Sequence, residues 1–277
     1  MNNLSPKISV ILPFYNAKPY LKEALESILN QSFFDFELII INDASTDDSE
    51  EIVKNYLNDP RIIYLKNKTN QGIVHNLNLG LKISRAEIIA RMDGDDVSLP
   101  NRLAKQYEYL TKNPKISAVG TFIRMIDEKN QAIDFRTKPI QPEEIKKNLI
   151  NYSPIVHATA MYRKADVLAV GGYQPEWIYV EDIDLWYRLI YRGYLVSNIS
   201  EFLLLYRYHA NSTAHQGKAL AKKAFRLRRW AIKEFNLKLD LRQLVLIYSQ
   251  LLAGLLFSGR QRQYLEGLFK KIIYHGK

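Results

Sequence analysis

Four apolar runs mark the first hundred residues: "KISVILPF", "FELIIIND", "RIIYLKN" and "EIIARMD". Between them lie "AKPYLKEALESILNQ", "TDDSEEIVKNYLND" and "GIVHNLNLGLKIS", each long enough for about three or four helical turns. Strands that read as near-continuous Val/Ile/Leu, without polar alternation, are covered on both faces. Helices in the connections supply that cover, so the pattern predicts an α/β fold with a mostly parallel, Rossmann-like sheet of right-handed βαβ units. In such sheets ligands sit beyond the carboxyl ends of the strands. That rule selects four stretches: Pro13 to Asn16, Asn42 to Thr46, Asn67 to Gly72, and Asp93 to Asp96.

The second hundred residues are more mixed. A helix is expected from Asn101 to Lys112, with apolar runs at "ISAVGTFIRMID", "HATAMYRK" and "FLLLYRYH" and a long segment "GGYQPEWIYVEDIDLWYRLIYRG". From about Gln216 the pattern is helical. No repeat or low-complexity linker interrupts the chain. At 277 residues, 47% of them hydrophobic and none cysteine, the composition is globular and leaves no thiol chemistry. Pro13 breaks the N-terminal apolar run too early for a secretory signal. The expected location is the cytoplasm.

A net charge of +10 first suggests nucleic acid, but its distribution argues against that. Residues 215–277 carry fourteen Lys and Arg against three Asp and Glu, a balance of +11, which leaves residues 1–214 at −1. The basicity belongs to a tail, and nucleic acid is not an expected partner.

Three carboxylates, Asp93, Asp95 and Asp96, follow the fourth apolar run around Gly94. Such a cluster repels itself unless a cation stands in it. One reading is an Asx turn opening the helix after Pro100; the other is a hard divalent cation on carboxylate oxygens, with a phosphate close to Gly94. A nucleotide would then need a base site, for which Asp43 offers an acceptor and Tyr15 a stacking ring; the alternative is that Asp43, Ser45 and Thr46 cap the next helix. Glu181, Asp182 and Asp184 fall in the first turns of a helix, where acids are favoured by the helix dipole alone, or where one of them serves as a general base. His209 ends an apolar run and is either packed or a metal ligand. Trp177 and Trp186 read as core, with Trp177 also placed to offer a face to a sugar ring.

Taken in order, "ISVILPFYN", "LIIINDASTDDS", "NQGIVHNLNLGL", "IIARMDGDD", "HATAMYRK…GGY", "VEDIDLWYRL" and "YRYHANST" resemble family 2 glycosyltransferases of the GT-A fold, over Lys7 to Thr213. The resemblance implies a catalytic domain at 1–214, nucleotide-binding to about residue 100 and acceptor-binding beyond it; the chain itself adds a basic amphipathic helical extension at 215–277. It implies transfer of a sugar, with inversion, from a nucleotide diphosphate, usually UDP, to a hydroxyl of a glycan or lipid-linked acceptor in surface polysaccharide synthesis. Asp43 matches the family's base-binding aspartate, and Asp93 and Asp95 the D-x-D acids that carry Mn²⁺ or Mg²⁺ and the nucleotide. Asp182 matches the catalytic base, His209 a late metal ligand, and Pro13, Tyr15 and Asn16 the nucleotide pocket. Glu181 and Trp177 are expected near donor or acceptor sugar. Many relatives have Arg where this chain has His75 before Asn76, which removes a fixed positive charge.

The tail lies beyond the resemblance. Leu237, Leu241, Leu244, Tyr248, Leu251 and Leu255 form an apolar stripe, widened by Val245, Leu252 and Leu256, and too interrupted by polar residues to span a bilayer. It either lies on an anionic membrane surface, placing the protein at the inner face of the plasma membrane, or packs on the body or on a second subunit. Two rival functions are a metal-dependent nucleotidyltransferase, which would normally carry a glycine-rich basic loop that "PFYNAKPY" lacks, and nucleic-acid binding through the tail.

Overall fold

The computed structural model describes residues 5–209 and 217–257. Expectations for the end of the "YRYHANST" motif and for the last twenty residues of the tail lie outside the described residues. Strand β1 (Ile8–Phe14) is flanked in parallel by β2 (Phe36–Asn42) and β4 (Ile88–Arg91), and β3 (Ile62–Lys66) pairs in parallel with β2. Helices α1 (Leu21–Leu29), α2 (Ser49–Lys54) and α3 (Ile73–Ile83) make the crossovers. The four strands therefore end on one edge, and the four selected stretches meet there.

Every residue of β1 and β2 is buried, and the side-chain alternation of a strand divides them between two cores. Ile8, Val10, Leu12 and Phe14, with Phe36, Leu38 and Ile40, face Leu21, Ala24, Leu25 and Ile28 of α1 and Leu103 and Leu110 of α4 (Arg102–Lys112). On the other face Ile11, Ile39 and Ile41 meet Val74, Leu77 and Leu81 of α3 and Leu185, Trp186 and Leu189 of α7 (Glu181–Tyr191). Both faces are apolar, which is why the strands read as continuous hydrophobic runs. Gly80 lets α3 approach closely: a Cβ there would lie 2.5 Å from Ile11 Cγ2.

The second half makes the sheet mixed. The order is β3-β2-β1-β4-β8-β6-β9-β5, with β5 (Val97–Ser98), β6 (Ile116–Ile126), β8 (Met161–Arg163) and β9 (Leu195–Arg207), while β7 (Ala132–Arg136) pairs off this path with β6. β8 is antiparallel to both β4 and β6, β7 to β6 and β5 to β9, and β6 and β9 run parallel. The parallel arrangement expected from the sequence is thus complete in β3-β2-β1-β4 and gives way beyond it to antiparallel pairs around the one parallel pair β6-β9. Short helices α5 (Pro142–Asn148) and α6 (Lys164–Ala169) cover this part.

The tail packs on the body. From α8 (Gly217–Glu234) and α9 (Leu241–Leu256), Leu227, Ala231 and Ile247 join the core that holds α3 and α7. Arg228 Nε donates 3.0 Å to the carbonyl of Ile150, and Gln250 Nε2 donates 3.1 Å to that of Asn151. The inward side of α9 consists of Leu246, Ile247, Ala253 and Gly254. Most of the expected stripe points the other way: Leu241, Leu244, Val245, Tyr248, Leu252 and Leu256 are exposed.

Candidate active site

The ends of β1 and β2 are tied to each other. The Asn16 backbone N–H donates to Ser45 Oγ, and the Thr46 N–H donates 2.8 Å to Asn16 Oδ1. Asn16 (φ 50°) and Ala44 (φ 60°) both adopt the left-handed region, which costs an alanine about 1 kcal/mol and is characteristic of functional loops. Tyr15 is half exposed, with its ring open to solvent, whereas Pro13 is buried inside β1, in register with Ile41. Asp43 is 4% exposed. Its Oδ1 accepts from Asn67 Nδ2 (2.7 Å) and the Gln71 N–H (2.8 Å), and its Oδ2 from the Gly72 N–H (2.9 Å). Asp43 thus anchors the loop before α3 rather than capping α2, whose N-cap is Asp48. A carboxylate has about four acceptor positions, so one is left for a further donor. His75 is exposed on α3, while Asn76 is buried and accepts from Asn67.

The acidic loop contains its own partial answer to the question of a counter-charge. Arg91, the last residue of β4, grips Asp93 with its two terminal guanidinium nitrogens, Nη1 and Nη2. Arg102 is fully buried beneath and donates 2.7 Å to the Arg91 carbonyl. Arg207, at the end of β9, donates from its backbone N–H to Asp96 Oδ1 (2.8 Å) and from Nε to the Asp95 carbonyl (2.9 Å). Its guanidinium also reaches Glu23 and Asn130 and lies 4.7 Å from the Tyr20 ring centre. His209 Nε2 is 2.9 Å from Asp95 Oδ2, and its ring packs on Tyr20.

Counter-charge is nevertheless incomplete. One carboxylate oxygen from each of Asp93, Asp95 and Asp96 lies within 4.8 Å of the others, and Asp96 Oδ2 is buried with no hydrogen-bond partner. Burial, followed by the neighbouring Asp95 and Asp93 charges, pushes the Asp96 carboxyl well above its usual range. Burial likewise raises Asp93, against the opposing effect of Arg91. An all-carboxylate oxygen set with an orphaned buried oxygen fits a hard divalent cation such as Mg²⁺ or Mn²⁺. The turn reading does not account for an unpaired buried carboxylate oxygen.

A second group of acids, Glu181 and Asp182, stands in the first turn of α7. Burial has the largest influence on the Glu181 and Asp182 carboxyls and on the His157 imidazole; the Arg91 charge comes second for His157, keeping its ring neutral, and is a lesser influence on the two acids, where it favours ionisation. Asp182 is half-buried and accepts from Ser153 Oγ at 3.3 Å; burial raises its pKa. Glu181 is 7% exposed, and its Oε2 has no partner while Oε1 lies 3.8 Å from His157 Nδ1. Burial, and next the Asp182 charge, raises Glu181 to about 7. His157 Nε2 in turn lies 3.0 Å from the Tyr173 hydroxyl. Tyr179, two residues before Glu181, has φ 76°, a second strained point beside the site. Asp184 serves the scaffold instead, pairing with Arg188, which holds the carbonyls of Val170 and Gly172.

The expectation of an open sugar-binding face at Trp177 fails. The ring is 5% exposed, packs 5.7 Å from Trp230 and lies under Arg226, because the tail helices cover it. Conversely, Arg91, Ser153, His157, Tyr173 and Arg207 join the site without having been singled out. Arg91 had a signal, a charge inside an otherwise apolar strand run just before the acids. Tyr173 stood in the quoted "GGY" without a role being read for it, and Ser153 had no signal, since long-range folding alone brings it in.

The comparisons agree with this geometry. Residues 9–170 match the model of glycosyl transferase family 2. The O-antigen biosynthesis glycosyltransferase WbnJ of Escherichia coli is 39% identical over 220 residues, which cover 77% of this chain and 84% of that protein. Among solved structures, S. aureus TarS in complex with UDP-GlcNAc superposes with a TM-score of 0.68 at 20% identity, covering 96% of this chain and 81% of that one. The mannosyltransferase PcManGT from Pyrobaculum calidifontis, in complex with GDP-Man and Mn²⁺, gives 0.63 at 15% identity over 99% and 89%. The fold is that of the GT-A glycosyltransferases, and the chain belongs to glycosyltransferase family 2.

Proposed function

We propose that this glycosyltransferase transfers a sugar from a UDP-sugar to a hydroxyl of a glycan or lipid-linked acceptor in surface polysaccharide biosynthesis, with inversion and with Mn²⁺ or Mg²⁺. The observation that carries the reading is the clustering of the Asp93, Asp95 and Asp96 carboxylates around a buried, unpartnered Asp96 Oδ2 at the carboxyl edge of the sheet, accompanied by the buried Glu181 and half-buried Asp182 at the start of α7. Support also comes from the WbnJ similarity for polysaccharide synthesis, and from the donors named for the two solved structures. Those donors are UDP-GlcNAc and GDP-Man, and the free acceptor position on Asp43 favours a base with a ring N–H, which both uracil and guanine possess.

In this reading Tyr15 stacks on the base, Asn16 and Asp43 fix the nucleoside, and Asp95, Asp93 and Asp96, with His209 beside them, hold the cation. A divalent cation there offsets negative charge on the departing diphosphate. Asp182, kept proton-affine by burial and oriented by Ser153, takes the proton of the acceptor hydroxyl as that oxygen attacks the anomeric carbon from the face opposite the diphosphate. The carbon–oxygen bond to the diphosphate breaks in the same displacement, so the centre inverts. Glu181 and His157 back the acceptor side.

The test is thermal stabilisation by UDP, GDP, CMP and ADP, each with Mn²⁺ or with EDTA, on the wild type and on Asp95→Ala. A ligand at about a hundred times its dissociation constant adds roughly 2.7 kcal/mol to the native state. Stabilisation by UDP with Mn²⁺, lost on chelation and in Asp95→Ala, is expected. A response to GDP alone would replace the donor class, and stabilisation by UDP that ignores both EDTA and Asp95→Ala would remove the metal.

A further inference from the structure

The outward side of α9 is apolar along its whole length. Leu241, Val245, Tyr248, Leu252 and Leu256 recur at helical spacing and are between 49% and 76% exposed, a stripe about 22 Å long. A helix packed on a body normally turns polar residues outward; a continuous apolar stripe there marks a contact surface. The neighbouring helix has the opposite chemistry. Lys218, Lys222, Arg226, Arg229 and Lys233 of α8 are all exposed, again at helical spacing. Phe225 of α8 packs 5.4 Å from the ring of Tyr248, and Lys222 and Arg229 lie three residues before and four after it, on the same side of α8. A cationic rank therefore borders the apolar stripe.

We propose that α8 and α9 together form a docking surface for an anionic phospholipid bilayer, the α9 stripe entering the acyl boundary and the α8 rank meeting headgroup phosphates. Charge selects this occupant. Residues 217–257 carry nine Lys and Arg against two Asp and Glu, a balance of +7, so a second copy docking by the same face brings like charges together, whereas anionic lipid neutralises them. No helix among the described residues is long and apolar enough to cross a membrane, so α9 lies in the plane of the interface. Docking also bears on the acceptor side. Arg228 and Gln250 hold the carbonyls of Ile150 and Asn151, and two residues further on Ser153 bonds Asp182. The docked helices and the segment touching Asp182 are one packed unit.

The docking proposal stands apart from the transfer chemistry, and its test reads binding alone. The full chain is sedimented with phosphatidylcholine vesicles with and without phosphatidylglycerol, as wild type, as Val245→Glu with Leu252→Glu, and as Lys222→Glu with Arg229→Glu. The wild type is expected to bind the anionic vesicles, and each double variant to bind about tenfold more weakly or worse. Thermal midpoints should be unchanged, because those side chains already face water. Failure of the wild type to bind anionic vesicles overturns the proposal, as does undiminished binding by the stripe variant. A wild-type dimer broken by the stripe substitutions assigns the face to a second copy instead. A lowered midpoint with intact vesicle binding shows the stripe to be packed within the protein and likewise overturns the proposal.

Discussion

Arg207 holds the acidic loop from two directions: its backbone N–H donates 2.8 Å to the Asp96 carboxylate, and its Nε donates 2.9 Å to the Asp95 carbonyl. The same guanidinium reaches Glu23 on α1 and Asn130 beyond β6. One buried fork thus fixes the loop that carries the Asp93, Asp95 and Asp96 carboxylates to two other elements.

Arg207→Lys keeps the charge but cannot reproduce the fork. Loss of two or more of these hydrogen bonds is expected to lower stability by about 1–3 kcal/mol. A purely structural residue would change only that. As a positioning residue Arg207 should also shift the Mn²⁺ concentration needed for half-maximal stabilisation by UDP, upward by about tenfold, the effect typical of losing a partner of a metal ligand. A Mn²⁺ titration equal to the wild type's in a folded Arg207→Lys protein would leave Arg207 only a structural role.

Asp182→Asn preserves shape and the contact with Ser153 while removing proton affinity. Transfer is expected to fall by about 10²–10⁴-fold, with the UDP-dependent thermal shift retained, since the proposed mechanism assigns Asp182 to the acceptor hydroxyl and not to the nucleotide. Sugar transfer at the wild-type rate would dismiss Asp182 as the base, and loss of nucleotide binding would move it to the donor side.

The first half of the fold was legible because its strands are covered on both faces. "VILPF" and "LIIIN", alternating with helix-length connections, read as the middle of a parallel sheet, and they carry the carboxyl-edge rule with them. The second half was less so: β5 is a two-residue strand and β7 is an exposed edge hairpin arm, too short or too polar to register as periodicity. At the site, the acids declared themselves by local crowding in "DGDD" and "VEDID". Their partners did not. Ser153 meets Asp182 across 29 residues, and Arg207 meets Asp95 across 112. Trp177 misled for the same reason, since its cover, Trp230, belongs to a helix that the local sequence does not connect to it.

Glu181 gives a pH prediction with a definite sign. Its carboxyl is buried, one oxygen is unpaired, and its pKa rises from the usual 4.5 to about 7, first through burial and then through the Asp182 charge. The folded state therefore holds this proton more tightly than the unfolded chain does. Its contribution to stability is fully present below about pH 4.5 and is lost as pH rises through about 7. The span corresponds to about 3 kcal/mol at most. Glutamine at this position has no proton to lose, so Glu181→Gln should gain thermal stability relative to the wild type as pH rises from about 5 to about 8, while the two converge toward the acid end. Melting curves at closely spaced pH values on both proteins check this. Parallel dependence across the range would mean that Glu181 stays ionised in the folded protein, with its charge offset by Arg91 more completely than its burial suggests.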